Sequence, residues 1–114
     1  MSDKKYELVK EDTKSFLGKT FFRIRALKDF SEFKKGELGG YIEKEENLSQ
    51  KDNAWVSGNA RVYGDAWVYG NARVSGNALV SGDALVSDNA RVYGDAWVFD
   101  NARVYGDAWV YGDA

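Results

Sequence analysis

The sequence predicts an all-β solenoid, a fold in which short strands wind into coils that stack on one another. Three observations indicate it: valine recurs at every sixth position from Val56, alanine stands two residues before each valine, and glycine stands two residues after most of them. A repeat this short buries its apolar residues only by stacking on neighbouring copies, which is typical of solenoids. The valines of the series are Val56, Val62, Val68, Val74, Val80, Val86, Val92, Val98, Val104 and Val110.

The order of residues within one repeat predicts a strand of about four residues followed by a turn. Alanine and valine alternate with variable residues, and this period of two places them on one side of a strand. The Gly-Asn or Gly-Asp pair that follows forms turns readily, because glycine accepts positive φ and Asx side chains bond to their own backbone. We therefore expect alanine and valine to form interior ladders, with one rung per coil at roughly 4.8 Å.

The run V-Y-G-D-A-W-V-Y-G-N-A-R, at residues 62–73, resembles the hexapeptide-repeat family of left-handed parallel β-helices. The resemblance implies a triangular coil built from three hexads, wound with a left hand. In this chain the glycine stands one place later than in the family's usual Ile/Val-Gly-x-x-Ala-x repeat. The period alone gives the coil, whereas the hand of the winding comes from the resemblance.

A second resemblance covers the segment that precedes the repeats. The residues L-K-D-F-S-E-F-K-K-G-E-L-G-G-Y-I-E-K-E-E-N-L-S-Q, from Leu27 to Gln50, resemble the segment that leads into the helix in YdcK-like proteins of bacteria and phages. Those proteins are usually described as hexapeptide transferases without an established reaction. Together the two resemblances cover the chain from about Leu27 onward, and they bear on its fold more than on its function.

The chain has room for one domain, which we divide into an N-terminal capping segment at residues 1–41 and a hexapeptide-repeat β-helix at residues 42–114. The upper edge of the first coil would otherwise expose unpaired N–H and C=O groups, so the N-terminal strands are expected to cover it. The other end stops at Ala114 in mid-repeat. Either the last coil stacks against another copy or the sequence is cut short.

The capping segment is expected to contain two strands. Alternation and aromatic content predict them at residues 6–9 and 21–27, with a polar turn from Glu11 to Lys19 between them. Met1 to Lys5 is expected to be frayed. The residues predicted to share the buried face of the second strand are Phe22, Ile24 and Ala26.

The approach to the solenoid is expected to be irregular. Asp29 to Lys35 is predicted as a short helical turn or loop, with Phe30 and Phe33 packing onto the fold. Two extra residues are expected to bulge at a corner near Ser49 to Lys51. The first coil is predicted to be built from Ile42, Leu48 and Val56.

Assigning every third hexad to one side of the triangle predicts three outer faces. Face one carries the outward pairs Trp55/Ser57, Arg73/Ser75, Arg91/Tyr93 and Trp109/Tyr111. Face two carries Arg61/Tyr63, Leu79/Ser81 and Trp97/Phe99, and face three carries Trp67/Tyr69, Leu85/Ser87 and Arg103/Tyr105.

These outward aromatic and aliphatic side chains allow two interpretations. In the first, rings and arginines pack along each ladder and stabilise it by some tenths to about 1 kcal/mol per pair. In the second, they form a protein interface, because such a large apolar patch is unusual on a soluble monomer. The candidate interface residues are Trp67, Tyr69, Leu79, Leu85, Trp97, Phe99, Trp109 and Tyr111.

Catalysis and metal binding are not expected. The hexapeptide resemblance implies acyl transfer with a histidine general base and a CoA or acyl-carrier donor, but the chain contains no histidine and no cysteine. A carboxylate would serve as the base only with a strongly shifted pKa. The corner acids, Asp65 over Asp83 and Asp95 over Asp113, are expected to bond turn amides instead of a cation. We therefore predict no catalytic residue, no metal site and no cofactor.

Charge is unevenly distributed along the chain. Residues 1–51 hold twelve Lys/Arg and ten Asp/Glu, whereas residues 52–114 hold four Arg, no Lys and eight Asp. This mildly acidic solenoid argues against general nucleic-acid binding. No apolar run is long enough for a signal peptide or a membrane span, so no membrane association is expected. The expected location is the cytoplasm, or the host-cell cytoplasm if the chain is phage-encoded.

The sequence favours a non-enzymatic structural or protein-interaction solenoid that forms homo-oligomers. An end-to-end dimer would use the open C-terminal coil, and a trimer would use the faces. By analogy with the similar phage proteins, a phage or prophage accessory protein that binds a host protein is one such role. The alternatives are a hexapeptide-type acyltransferase of unknown substrate, and a glycan-binding or fibre module.

Overall fold

A computed structural model describes residues 4–16, 18–29, 33–50 and 52–112. Within these residues the secondary structure is thirteen strands and one short 3₁₀ helix, which confirms the predicted all-β solenoid. The elements are β1 Tyr6–Phe16, β2 Lys19–Ala26, β3 Leu38–Ile42, the 3₁₀ helix Glu45–Asn47, β4 Trp55–Val56, β5 Arg61–Val62, β6 Trp67–Val68, β7 Arg73–Val74, β8 Leu79–Val80, β9 Leu85–Val86, β10 Arg91–Val92, β11 Trp97–Val98, β12 Arg103–Val104 and β13 Trp109–Val110.

The short strands form three parallel sheets that coincide with the three predicted faces. Face one is β4-β7-β10-β13, face three is β6-β9-β12, and face two is β3-β5-β8-β11, which β2 and β1 extend at one side. Each valine pairs with the valine eighteen residues further on, as in Val56↔Val74 and Val62↔Val80. Three hexads therefore make one coil, as predicted. The left-handed winding that the resemblance implies stays a prediction.

The interior is the predicted ladder of valine and alanine. Val56 to Val92 are fully buried at every sixth position, and Ala54 to Ala96 line the same interior. Burying one valine side chain stabilises the fold by about 2 kcal/mol, so the core is a thin column whose stability grows with each coil. Burial decreases in the fourth coil, formed by β11, β12 and β13, where Val110 is only partly buried.

The corners require residues that adopt positive φ. Glycine supplies this conformation at most corners, and Asp88 (φ 59°) and Asp100 (φ 57°) supply it at two others. Aspartate tolerates this region better than most residues. The corners also stack closely, because a Cβ built on Gly70 would lie 2.8 Å from the backbone nitrogen of Asp88 in the next coil.

The first coil has the predicted composition. Ile42 pairs with Val62 and Leu48 pairs with Val68, both at an offset of twenty residues, whereas Val56 pairs with Val74 at eighteen. The two extra residues therefore lie between Leu48 and Val56, as predicted. Lys51 lies outside the described residues.

The N-terminal hairpin is longer than predicted. β1 continues to Phe16 and β2 begins at Lys19, so the predicted polar turn from Glu11 to Lys19 is wrong. Polar residues form strand here because both sides of the hairpin pair antiparallel, with a register shift between Val9 and Thr13. Cross-strand ion pairs reinforce the ladder, and they join Arg25 to Glu7 and Arg23 to Asp12.

The buried face of β2 also differs from the prediction. The alternation predicted Phe22, but the structure buries Phe21 and leaves Phe22 half-buried. A register shift between Arg23 and Arg25, in the pairing of β2 with β3, interrupts the alternation. The prediction was right for Ile24 and Ala26, which are buried.

Two further predictions concern the ends of the hairpin. Lys5 was expected to be frayed, but only 1% of it is exposed, while residues 1–3 lie outside the described part of the chain. In the loop before β3, Phe33 packs against the ring of Trp55 with centroids 5.5 Å apart, as predicted. Phe30 lies outside the described residues.

Candidate functional site

The N-terminal residues cover the upper edge of the first coil with hydrogen bonds. The Tyr6 hydroxyl donates to the carbonyl oxygens of Glu45 and Leu48, at 2.8 and 2.6 Å. The Lys5 ammonium donates to the carbonyls of Asp52 and Ala54, at 2.6 and 2.7 Å. These side chains satisfy carbonyl groups on two sides of the coil, so this end of the solenoid is capped.

Burial shifts the pKa of both capping side chains, Lys5 and Tyr6. It lowers the pKa of Lys5 to about 8, against an opposing effect of the nearby Asp52 carboxylate, and the positive charges of Arg73 and Lys28 lower it further. Burial also raises the pKa of the Tyr6 hydroxyl, and the nearby Glu45 carboxylate adds to this rise. Both shifts follow from the loss of hydration around a charged form.

The four tryptophans occupy the same position in the repeat but differ in exposure. Trp55 in the first coil is 1% exposed, because the rings of Tyr6 and Phe33 pack against it. Trp109 lies on the same face in the fourth coil and is 60% exposed. The cap therefore covers this position in the first coil, whereas the equivalent position in the fourth coil is exposed.

The fourth coil collects most of the exposed aromatic rings. Its outward residues lie on all three faces, and each has more than half of its surface exposed. They are Trp97, Phe99, Tyr105, Trp109 and Tyr111. Tyr105 was not among the candidate interface residues, although its place in the same coil as Trp97 could have identified it.

The remaining candidate residues lie further from this coil. Trp67 and Tyr69 stack with centroids 4.0 Å apart on face three, and Leu85 pairs with Trp67 in the next coil. Leu79 is 8% exposed and adds little to any exposed patch, because it lies between Arg61 and Trp97 in the ladder of face two. The candidates thus divide among separate places instead of forming one patch.

The fourth coil also presents unpaired backbone groups. In earlier coils the N–H groups of outward residues donate to carbonyls of the following coil, as from Trp67 to Ala84 at 3.0 Å. The corresponding N–H groups of Phe99, Arg103 and Tyr105 have no backbone acceptor among the described residues. Within the described part of the chain, no further strand pairs with this edge.

The corner acids predicted to bond turn amides do not show such bonds among the described residues: Asp65 accepts from a lysine and Asp95 accepts from the side-chain amide of Asn77 at 3.3 Å, while Asp113 lies outside the described residues. Two other corner acids do bond turn amides. Asp52 and Asp88 accept hydrogen bonds from the backbone of the following coil, at 2.9 Å from Gly70 and 3.1 Å from Gly106. Asp65 accepts from the Lys44 ammonium at 3.0 Å, which raises the pKa of that lysine. Across the described residues, no group of three or more His, Cys, Asp or Glu side chains could hold a metal ion.

One corner carries a ladder of amide side chains. The Nδ2 group of each asparagine donates to the side-chain oxygen of the next residue in the column, at 3.3 to 3.4 Å. The column is Asn53, Asn71, Asn89 and Asp107. Such a ladder orients the corner side chains and links successive coils.

A search for membrane-spanning helices over the described part of the chain finds none with the required length and apolar character.

No curated protein matches the sequence. The family model for the YdcK beta solenoid repeat matches it at residues 54–70, 66–82, 72–87, 84–99 and 96–112. These matches cover β4 to β13 and together span more than half of the chain. The stacked coils and the repeated matches agree, and the chain belongs to the YdcK beta solenoid repeat family.

Proposed function

We propose that this protein is a non-enzymatic structural and interaction solenoid that associates with a second copy through its fourth coil. The observation that carries the proposal is the difference between two equivalent tryptophans. Trp55 is buried beneath the cap, whereas Trp109 is 60% exposed. The fold buries this ring position in the first coil but leaves it in water in the fourth. A partner that covers the exposed ring would lower the free energy of the complex.

The backbone of the fourth coil supports the same partner. The N–H groups of Phe99, Arg103 and Tyr105 lack backbone acceptors within the described residues, so the edge favours pairing with another strand. A second copy related by a two-fold axis would present the same short strands and the same rings. One contact would then cover both edges and bury aromatic surface on both copies.

The absence of enzymatic activity is proposed from the chemistry of the side chains. The chain contains no histidine. Among the described residues with a resolved pKa shift, Lys5 is the one lysine whose pKa is lowered, to about 8. Lys5 is 1% exposed, and its ammonium group donates to two backbone carbonyls. A substrate would not reach it without removal of the cap, so acyl transfer lacks an accessible base.

The partner in a cell is proposed by analogy. The resemblance of the capping segment to bacterial and phage proteins suggests a phage or prophage accessory protein that binds a host protein in the cytoplasm. Affinity capture from the native host, with the wild-type chain and a variant of the fourth coil in parallel, tests this part. Capture of the same host proteins by both would contradict a role for that coil in host binding.

Light scattering after size exclusion tests self-association. We expect a mass of twice the 12.8 kDa chain at high concentration, decreasing on dilution. Trp97→Ala with Phe99→Ala should shift the mass toward the monomer, because both rings are exposed in the fourth coil. Trp67→Ala with Tyr69→Ala is the matched control, since this stacked pair lies two coils earlier.

Three outcomes would contradict the proposal. A monomer at every concentration, or a dimer that the double variant of the fourth coil leaves unchanged, removes the proposed interface. Release of thiol from acetyl-CoA above background, dependent on the protein, would overturn the non-enzymatic assignment.

A further inference from the structure

Face one carries a basic groove that shares only Trp109 with the residues argued for self-association. Arg73 and Arg91 are directly paired on adjacent strands, between Trp55 at one end and Trp109 at the other. The outward strand positions of this face contain no acidic residue. Two guanidinium groups one coil apart therefore form a local positive region on a solenoid with twice as many Asp as Arg.

The groove lies between aromatic rings and has two serines on its floor. Ser57 and Ser75 have small side chains, which leave a hollow between the ring of Phe33 at the capped end and the ring of Tyr93 two coils away. An adjoining groove shares both arginines and continues onto the amide ladder at Asn53, Asn71 and Asn89, which ends at the Asp107 carboxylate. Hydrogen-bond donors thus line most of one side of the hollow, and Asp107 is the one carboxylate among the described residues that borders it.

The two arginines are held differently. The Arg73 guanidinium lies 4.7 Å from the centre of the Phe33 ring, which fixes it against the cap. Arg91 is exposed, lines both grooves and has no ion-pair partner among the described residues. A fixed positive charge beside an accessible guanidinium suits an acidic ligand, because the accessible guanidinium binds one carboxylate through two parallel hydrogen bonds and the fixed charge attracts the next.

We propose that face one is a binding surface for an acidic segment of a partner polypeptide. One of its Asp or Glu carboxylates pairs with Arg91, and the fixed positive charge of Arg73 attracts a second. The second N–H of the Asn71 and Asn89 side chains, which the ladder leaves unused, donates to its backbone carbonyls. Recognition of acidic motifs by arginine clusters is a recurring mode of peptide binding.

The rings around the groove favour a peptide over a sugar or a nucleic acid. Tyr93 stacks on Tyr111 with centroids 5.2 Å apart and meets Trp109 edge-on at 6.3 Å. The stacked contact occupies one face of each tyrosine ring and so reduces the ring surface on which a sugar or a base could stack. Two arginines in an otherwise acidic solenoid also provide too little charge for a nucleic-acid backbone.

Nuclear magnetic resonance on the intact chain tests the proposal through the arginine Nε–H and asparagine amide signals. The probe is an eight-residue peptide of alternating glutamate and glycine, titrated at low and at physiological salt. We expect saturable shifts at Arg91, Arg73, Asn71 and Asn89, which weaken as salt increases. Arg91→Gln should weaken binding by about tenfold, the loss expected for a charge-assisted bidentate contact.

The matched control is Arg103→Gln, which removes an exposed arginine from the same repeat position on face three. This control should bind the peptide as the wild type does. The double variant Trp97→Ala with Phe99→Ala should also bind the peptide. The two proposals can therefore be tested separately: peptide binding can be present when self-association is absent, and self-association can be present when peptide binding is absent.

Three results would overturn the proposal. The first is no saturable shift at millimolar peptide, and the second is an equal loss of affinity in the Arg91 and Arg103 variants, which would indicate non-specific charge. The third is binding of an oligogalacturonate or an oligothymidine in place of the peptide, which would assign the groove to a different class of ligand.

Discussion

The first and the fourth described coils of this solenoid present opposite surfaces. At the capped end, face two continues into β1, an eleven-residue edge strand that carries charged residues such as Lys10 and Lys14. A register shift between Val9 and Thr13 further interrupts that edge. Charges and bulges on an edge strand prevent pairing with other chains. The strands of the fourth coil are two residues long and carry exposed aromatic rings instead.

The comparison shows that exposure in a repeat protein is set by what lies above and below each residue. Trp55 and Trp109 have the same neighbours in the repeat, but only Trp55 has Tyr6 and Phe33 packed against it. The same applies to Val56 and Val110, of which the first is fully buried and the second partly buried. The position of a residue in the stack of coils determines how much it contributes to stability. The same substitution in the first and in the fourth coil should therefore change the free energy of unfolding by different amounts.

The largest expected difference lies between the interior and the fourth coil. Val80→Asp places a carboxylate at a position that is 0% exposed, with no partner for its charge, and should destabilise the fold by about 4 kcal/mol or more. Val110→Asp should cost much less, since Val110 is partly buried. Thermal unfolding followed by circular dichroism measures both. A melting curve near that of the wild type for Val80→Asp would reject its inward placement.

A smaller difference is expected between two glycines. A Cβ at Gly39 would lie 2.5 Å from the carbonyl oxygen of Val56 and 2.6 Å from Ile24 Cγ1, so Gly39→Ala should destabilise the cap by about 3 kcal/mol. Gly106→Ala meets no atom within 4 Å, and its φ of +66° alone should cost about 1 kcal/mol. Urea unfolding ranks the two variants. Equal losses would contradict the close packing of the cap on the first coil.

The smallest expected effect is a dependence of stability on pH that comes from the capped end alone. Burial lowers the pKa of Lys5 to about 8, from 10.5 in the unfolded chain, so the unfolded state binds more protons between these values. Stability should therefore rise as pH increases from about 8 to 10, and the contribution should be absent below pH 8. Above pH 10 the raised pKa of Tyr6 acts in the opposite direction.

Lys5→Met tests this effect because it keeps an unbranched side chain, one atom shorter than lysine, and removes the titrating group. Urea unfolding at pH 7.5 and 9.5 should show a gain in stability for the wild type that the variant lacks. An equal change in both proteins would assign the pH dependence to groups outside the cap.

Much of the solenoid could be predicted from the sequence because its determinants are local and repeated. The inward valines, the three faces and the two extra residues after Leu48 all follow from counting positions along the chain. A strand and a corner within one hexad define the geometry, and stacking repeats it. The candidate site was predicted less well: Trp97 and Phe99 are exposed, but Leu79 is buried and Tyr105 was overlooked.

Other features were decided only by the tertiary structure. They lie in the part of the chain that does not repeat, and in coils that lack a neighbouring coil among the described residues. The continuation of β1 to Phe16 and the burial of Phe21 depend on pairing between distant segments, and register shifts break the local alternation. Lys5 is buried because carbonyls nearly fifty residues away accept its hydrogen bonds. A period in the sequence specifies which side of a strand faces inward, but it contains no information about which coil the cap will cover.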